Sequence, residues 1–433
     1  MQGKAQVSVW KSETLQPDWF KRQKADEKAV QENENSAKAI INQVKDRGND
    51  ALVDFALKFD KARLTLQTLD VKKEEIKEAY KKADLEQVSA LKFIKEKVNT
   101  FQKQLLTQTE IKTLSDGIWV ETVLRPIQSV GCYVPGGQAS YPSTLIMMAV
   151  PAKVAGVPRI VVCSPPDTKG KVNPLVLVAA DICGVEEIYK VGGAQAIAAL
   201  AYGTKTIKPV RKIVGPGSKY VTAAKVLVSK DVAIDMPAGP SEVLVLADES
   251  AEARFIAFDM VSQAEHGGDS VAGLITTSEK VALQVQENLA TAAASADRGE
   301  KVSEALSKYG FIIVCKSMEE AVSLVNQFAP EHLEVMTVKP KEIAEKLTAG
   351  LILIGPYSPV ALSDYASGTN HVLPTGGFAQ SFSGLSAFDF MRRASIVESS
   401  KTGLERVKGT IRVMAETENL PNHYKAVEAR FEK

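Results

Sequence analysis

The sequence of 433 residues predicts an α/β protein: two units built on parallel sheets, set between a helical N-terminal region and a helical C-terminal tail. Two observations carry that prediction. From Val123 onward, short β-branched runs alternate with Ala-rich stretches of helical spacing, the pattern of strand–helix–strand units. The runs are also apolar throughout instead of alternating, as strands covered on both faces are. Composition agrees, with 45% apolar and 24% charged residues, an ordinary globular balance. At roughly 150 residues per domain the length suits about three domains.

Taken in order, the first 120 residues are rich in Lys, Glu, Gln and Asp and poor in Gly and Pro. Asp26–Arg47 and Lys72–Lys97 place apolar residues at helical spacing on a charged background, predicting helices with a solvated outer face. Strands are expected at Arg159–Cys163, Glu187–Val191, Lys212–Val214, Glu242–Ala247, Val271–Thr276, Phe311–Val314 and Leu351–Ile354. Helices fill the gaps at Thr144–Ala155, Ala194–Tyr202 and Val221–Val228. Ser250–Gly267 predicts another helix, with Ser250 as N-cap, Glu252 in the first turn and Gly267-Gly268 as the stop. A short strand is expected at Leu333–Met336. After Gly377 a connector rich in Gly, Ser and Phe leads to a helical tail, Thr402–Lys433.

Several function classes fall away. Lys+Arg 53 against Asp+Glu 52 leaves a net charge of +1, which argues against a surface that tracks nucleic-acid phosphates. The N-terminus MQGKAQVSVW has no apolar core of a secretory signal. No uncharged apolar run reaches the roughly 18 residues of a membrane span. Cys132, Cys163, Cys183 and Cys315 form no CxxC pair and are expected as buried small hydrophobes in a reducing compartment.

The chemistry is concentrated around four histidines. Gln263 and His266, three apart at the predicted end of the Ser250–Gly267 helix, project from one face. Such a pair can ligate a divalent metal; two polar surface residues at a frayed end are the plainer alternative. Glu331-His332, ahead of a short strand, suits a general-base pair, or a hydrogen-bonded turn. Ser363–Gly377 is a polar, glycine-bearing loop carrying Asp364 and His371, with His371 expected to order the loop. It is expected at the carboxyl ends of the strands, where α/β proteins place ligands. Glu418 and His423 flank Pro421 in the tail. None of these has a standard zinc spacing such as HExxH, and the glycine turns at Val134–Gly137, Val191–Gly193, Gly215–Gly217 and Ala238–Ser241 do not satisfy GxGxxG.

Together, however, eight segments resemble the histidinol dehydrogenase family: RPIQSVGCYVPGG (125–137), VGGAQAIAALAYGT (191–204), IVGPGSKYVTAAK (213–225), IDMPAGPSEVLVLAD (234–248), SQAEHG (262–267), PEHLEV (330–335), DYASGTNHVLPTGG (364–377) and ENLPNH (418–423). They occur in the family's order across nearly the whole chain. The resemblance implies two incomplete Rossmann-like domains. One would comprise 31–125 with 240–377 and carry most zinc and catalytic residues. The other, 126–239, would bind NAD. A helical arm, 1–30, and a tail, 378–433, would complete the chain.

The implied activity is oxidation of L-histidinol to L-histidine through histidinal with two NAD, in the cytoplasm. Gln263, His266, Asp364 and His423 would hold one zinc ion per subunit. Glu331 and His332 would be the acid/base pair. Substrate would meet Ser241, Gln263, His266, His332, Asp364, Glu418 and His423. Tyr133, Gln195 and Ser218 would contact NAD. Ser218 stands where the family usually has Asn; it keeps a hydroxyl but lacks the reach and second donor of an amide. The tail residues imply a homodimer whose subunits share their sites. A related zinc/NAD dehydrogenase for another polar alcohol, such as a sulfonated diol, is the alternative.

Overall fold

The computed structural model describes residues 7–15, 27–107, 111–136, 141–236 and 239–432. Much of the expected arm 1–30, and Gly137 and Ala238 of the glycine turns, lie outside the described residues.

Two parallel sheets form the frame. The smaller joins β4 (Ser129–Tyr133), β5 (Arg159–Cys163), β6 (Glu187–Tyr189), β7 (Lys212–Val214) and β8 (Ala233–Ile234) in the order β6-β5-β4-β7-β8. The larger joins β1 (Ser8–Lys11), β9 (Glu242–Ala247), β10 (Val271–Thr276), β11 (Phe311–Val314), β12 (His332–Met336) and β13 (Leu351–Ile354) in the order β1-β11-β10-β9-β12-β13. All pairings in both sheets are parallel. Every residue of β4, β9, β10 and β12 is buried, as in strands with both faces covered. The four cysteines are free and buried, as expected.

The N-terminal helices pack differently from expectation. Glu27–Arg47 lies on the helices Gly193–Tyr202 and Lys219–Val228, and Leu85–Leu106 on Pro142–Val154. Ala37, Ile41 and Val44 enter the core on one face of the smaller sheet, and Leu91, Ile94 and Val98 the core on the other. By packing, then, the helical part of 31–125 lies chiefly against 126–239, while Lys97 and Phe101 also meet Gly368 of 240–377. Periodicity shows that a helix has an apolar stripe but not which sheet receives it. The N-terminal region is also not wholly helical: Ser8–Lys11 is a strand that extends the larger sheet beyond β11.

A third, antiparallel sheet, β14-β3-β2, was not expected from the sequence. β2 (Ile111–Ser115) and β3 (Ile118–Pro126) form a hairpin whose turn residues Asp116 and Gly117 both have positive φ, the Asp-Gly hairpin geometry. β14 (Met391–Ser399) pairs along the whole of β3, so the expected connector ends in a nine-residue strand. The tail is two helices, Lys401–Thr417 and Pro421–Glu428. They part at Asn419, whose φ is 54°, and Pro421 occupies the first turn of the second helix.

Candidate active site

The site lies between the carboxyl ends of the smaller sheet and the amino ends of the larger. His332 is the first residue of β12 and Glu331 immediately precedes it, so the pair stands at the amino end of its strand, in line with its expected place ahead of a short strand.

The pair is tightly held. Glu331 is 7% exposed and His332 4%. The Glu331 Oε2 accepts from the Glu242 N–H at 2.8 Å, and the Glu331 N–H donates to the Glu242 Oε2 at 3.2 Å. His332 Nδ1 lies 3.2 Å from the Glu242 carbonyl oxygen. A carbonyl can only accept, so Nδ1 carries the proton and Nε2 the lone pair. Nε2 is buried without a protein hydrogen-bond partner and lies 3.8 Å from Asp364 Oδ1. Burial alone would push the His332 pKa down; the Glu331 and Asp364 carboxylates outweigh it and leave the pKa raised.

Three further side chains face the same cavity of about 920 Å³: Gln263, His266 and Asp364. The helix that carries Gln263 runs Ala253–Ala264. Its N-cap is Glu252, which accepts from the Arg254 N–H, while Ser250 bonds Asp248 instead of capping. Gln263 sits in the last turn, and His266 follows the helix end before Gly267. Gln263 is 2% exposed and borders the cavity. Asp364 lies in the short helix Val360–Tyr365 that follows β13. His371 sits 3.7 Å from Asp364 Oδ1 and 3.1 Å from Thr144 Oγ1. Burial holds its pKa below the usual histidine value; its Nδ1 also lies 3.3 Å from the Asp364 carbonyl oxygen, and the ring borders the cavity.

The remaining sequence-predicted residues divide. Ser241 and Ser218 line the same cavity. Tyr133 and Gln195 do not; they are buried beside it, at the end of β4 and in the first turn of Gly193–Tyr202. Tyr133 Oη accepts from the Gly193 N–H at 3.1 Å, and burial pushes its pKa up to about 12. Gln195 Oε1 is buried without a partner. Glu418 and His423 are exposed and do not line the cavity of their own chain. Among the described residues of one chain, no three His, Cys, Asp or Glu side chains form a metal-binding group. Sequence reasoning passed over Glu242 and Thr144; the only signal for Glu242 was an acid opening an otherwise apolar strand.

A family model described as histidinol dehydrogenase matches residues 21–431. The chain belongs to the histidinol dehydrogenase family. It is 45% identical to the histidinol dehydrogenase of Methanothermobacter thermautotrophicus over 393 residues, covering 90% of this chain and 92% of that one. It is also 45% identical to that of Bacteroides fragilis over 411 residues, covering 93% and 95%. The crystal structure of histidinol dehydrogenase from Elizabethkingia anophelis superimposes with a TM-score of 0.91 at 36% identity, covering 99% of this chain and 98% of that one. The incomplete Rossmann-like architecture read from the sequence is thus the histidinol dehydrogenase fold, and the alternative of a dehydrogenase for a sulfonated diol is not favoured.

Proposed function

We propose that this chain is an NAD-dependent oxidoreductase that takes L-histidinol through histidinal to L-histidine, the last steps of histidine biosynthesis. The observation that carries this reading is the buried Glu331–His332 pair facing Gln263, His266 and Asp364 across one cavity, in a chain of this family.

The donor set fits zinc. The buried Gln263 amide, the His266 imidazole and the Asp364 carboxylate border one void, and nitrogen and oxygen donors suit that ion. Gln263, His266 and Asp364 of one subunit, with His423 of the partner subunit, are the proposed holders. When bound, the ion supplies a template that orients the imidazole and amine of the substrate. NAD, when bound, supplies the hydride acceptor for each oxidation. Tyr133, Gln195 and Ser218 are its proposed contacts, a reading supported by the orphaned Gln195 Oε1.

The protein's own groups move the protons. His332 takes the alcohol proton on Nε2, the nitrogen left free by the Glu242 carbonyl. Glu331 then takes a proton from the water that hydrates the aldehyde while His332 returns its proton to the aldehyde oxygen, and the neutral His332 accepts the next proton as the hydrate is oxidised. Ser241, on the cavity wall, and Glu418 of the partner subunit hold the substrate. Enclosure keeps the reactive aldehyde from escaping between the two oxidations.

Glu418 and His423 stand exposed in a tail built on the β14-β3-β2 sheet, which suits an arm reaching into a second subunit. An isologous homodimer with two shared sites follows. We place the enzyme in the cytoplasm, acting on a small molecule. Among the described residues no helix is long and apolar enough to cross a membrane, and the net charge of +1 argues against a surface that tracks nucleic-acid phosphates.

The deciding experiment is zinc analysis of the purified protein together with histidinol-driven NAD reduction before and after chelation. Activity that needs zinc and histidinol is expected; no NADH formation from histidinol with zinc present would overturn the reading.

A further inference from the structure

Glu242 plays no chemical part in the scheme above, yet it is 0% exposed and touches both members of the pair. It opens β9, whose other residues are Val, Leu, Val, Leu and Ala. An acid in such a place is costly unless its oxygens find donors. They do: Oε1 accepts from the Gly376 N–H at 2.8 Å, and Oε2 from the Glu331 N–H at 3.2 Å. Hydrogen bonds of a backbone N–H to an ionised carboxylate are among the stronger kinds. The Glu242 backbone takes part as well, donating its N–H to the Glu331 carboxylate and offering its carbonyl to His332 Nδ1. One residue thereby joins β9, the start of β12 and the far end of the polar loop that carries Asp364 and His371.

We propose that Glu242 is a positioning residue for the reaction: its carboxylate fixes the Glu331 backbone and the Gly376 end of the loop, so that the Glu331 carboxyl and His332 Nε2 face the substrate. The inference rests on the functional reading above. Its mechanism is specific to an acceptor on both sides. A glutamine at 242 has nearly the same shape but one acceptor oxygen, so its NH2 meets the N–H of either Glu331 or Gly376, donor against donor. The backbone must then shift, and displacement of a catalytic group by about 1 Å costs on the order of a hundredfold in rate.

The test uses the full-length enzyme loaded with zinc and compares wild type, Glu242→Gln and Glu242→Asp, the last keeping the charge but losing reach. For each, kcat and KM for histidinol, zinc per subunit and the thermal midpoint are measured. The expected result for Glu242→Gln is a kcat lower by about tenfold to a hundredfold, with KM within about threefold and zinc retained. If Glu242→Gln does not fold, Glu242→Asp carries the same expectation. A folded variant with unchanged kcat would overturn the inference, as would a loss of activity explained wholly by lost zinc or a raised KM. A wild-type enzyme inactive on histidinol would instead overturn the functional reading itself and this inference with it, so the two failures are distinguishable.

Discussion

Lys225→Met tests the packing logic beside the Gly215–Gly217 turn. Gly215 follows β7 with φ 122°, and a side chain there would run into the Tyr133 carbonyl. Its peptide is gripped on both sides. The N–H donates to Asp235 Oδ2 at 2.7 Å, and the carbonyl accepts from Lys225 Nζ at 2.9 Å. Lys225 and Asp235 also form an ion pair, with side chains 5% and 1% exposed. Methionine at 225 keeps most of the volume but leaves the Asp235 carboxylate buried without its cation. Removing one partner of such a pair costs about 3–5 kcal/mol. At roughly 2–4 °C per kcal/mol for a domain of about 200 residues, the thermal midpoint falls by about 6–20 °C. Differential scanning calorimetry of Lys225→Met, Asp235→Asn and the double variant reads this directly. The double variant should lose less than the sum of the singles, because it leaves no lone charge. A Lys225→Met midpoint within about 2 °C of wild type, or strict additivity, would refute the argument that the pair holds the turn.

The other predictions concern the site and pH. His332→Asn should lower turnover by about a hundredfold to ten-thousandfold while zinc content stays at the wild-type level; His266→Ala should lose both together, and zinc loss from His332→Asn would contradict the division of roles. Mixing inactive His332→Asn and His423→Ala subunits should restore part of the activity through hybrid dimers, and no recovery after verified subunit exchange would count against shared sites. Asp60 has a buried Oδ2 without a partner, and burial raises its pKa from 3.8 to about 6. Between those values the folded state binds more protons than the unfolded, so stability is lost as pH rises from about 4 to about 6. Asp60→Asn should therefore raise stability at pH 7 by on the order of 1 kcal/mol, after allowance for partial exposure, and leave it unchanged near pH 3; denaturant melts at both pH values decide.

The local signals in the sequence were physical and mostly sufficient for the elements. Arg159–Cys163 and Glu242–Ala247 are strands over the residues expected, because short runs rich in β-branched apolar residues pack well in a sheet covered on both faces. The helix over Ala253–Ala264 was visible, but its cap was not, since Ser250 and Glu252 compete for one role and local geometry chose Glu252. β14 was missed because its register is set by β3, a strand distant in sequence, and nothing local marks such a pairing.

The sequence alone determined that there are two parallel sheets, where most of their strands lie, and which residue types are available for acid–base and metal chemistry. Those follow from side-chain periodicity and composition, which are local. Only the tertiary structure decided that the N-terminal helices cover the smaller sheet and that Glu331-His332 stands at the amino end of β12. It alone decided that Glu242 binds that pair while Gln263, His266 and Asp364 face it across one cavity. Those arrangements depend on contacts between residues far apart in the chain, and a buried polar atom shows its partner only once the chain has closed around it.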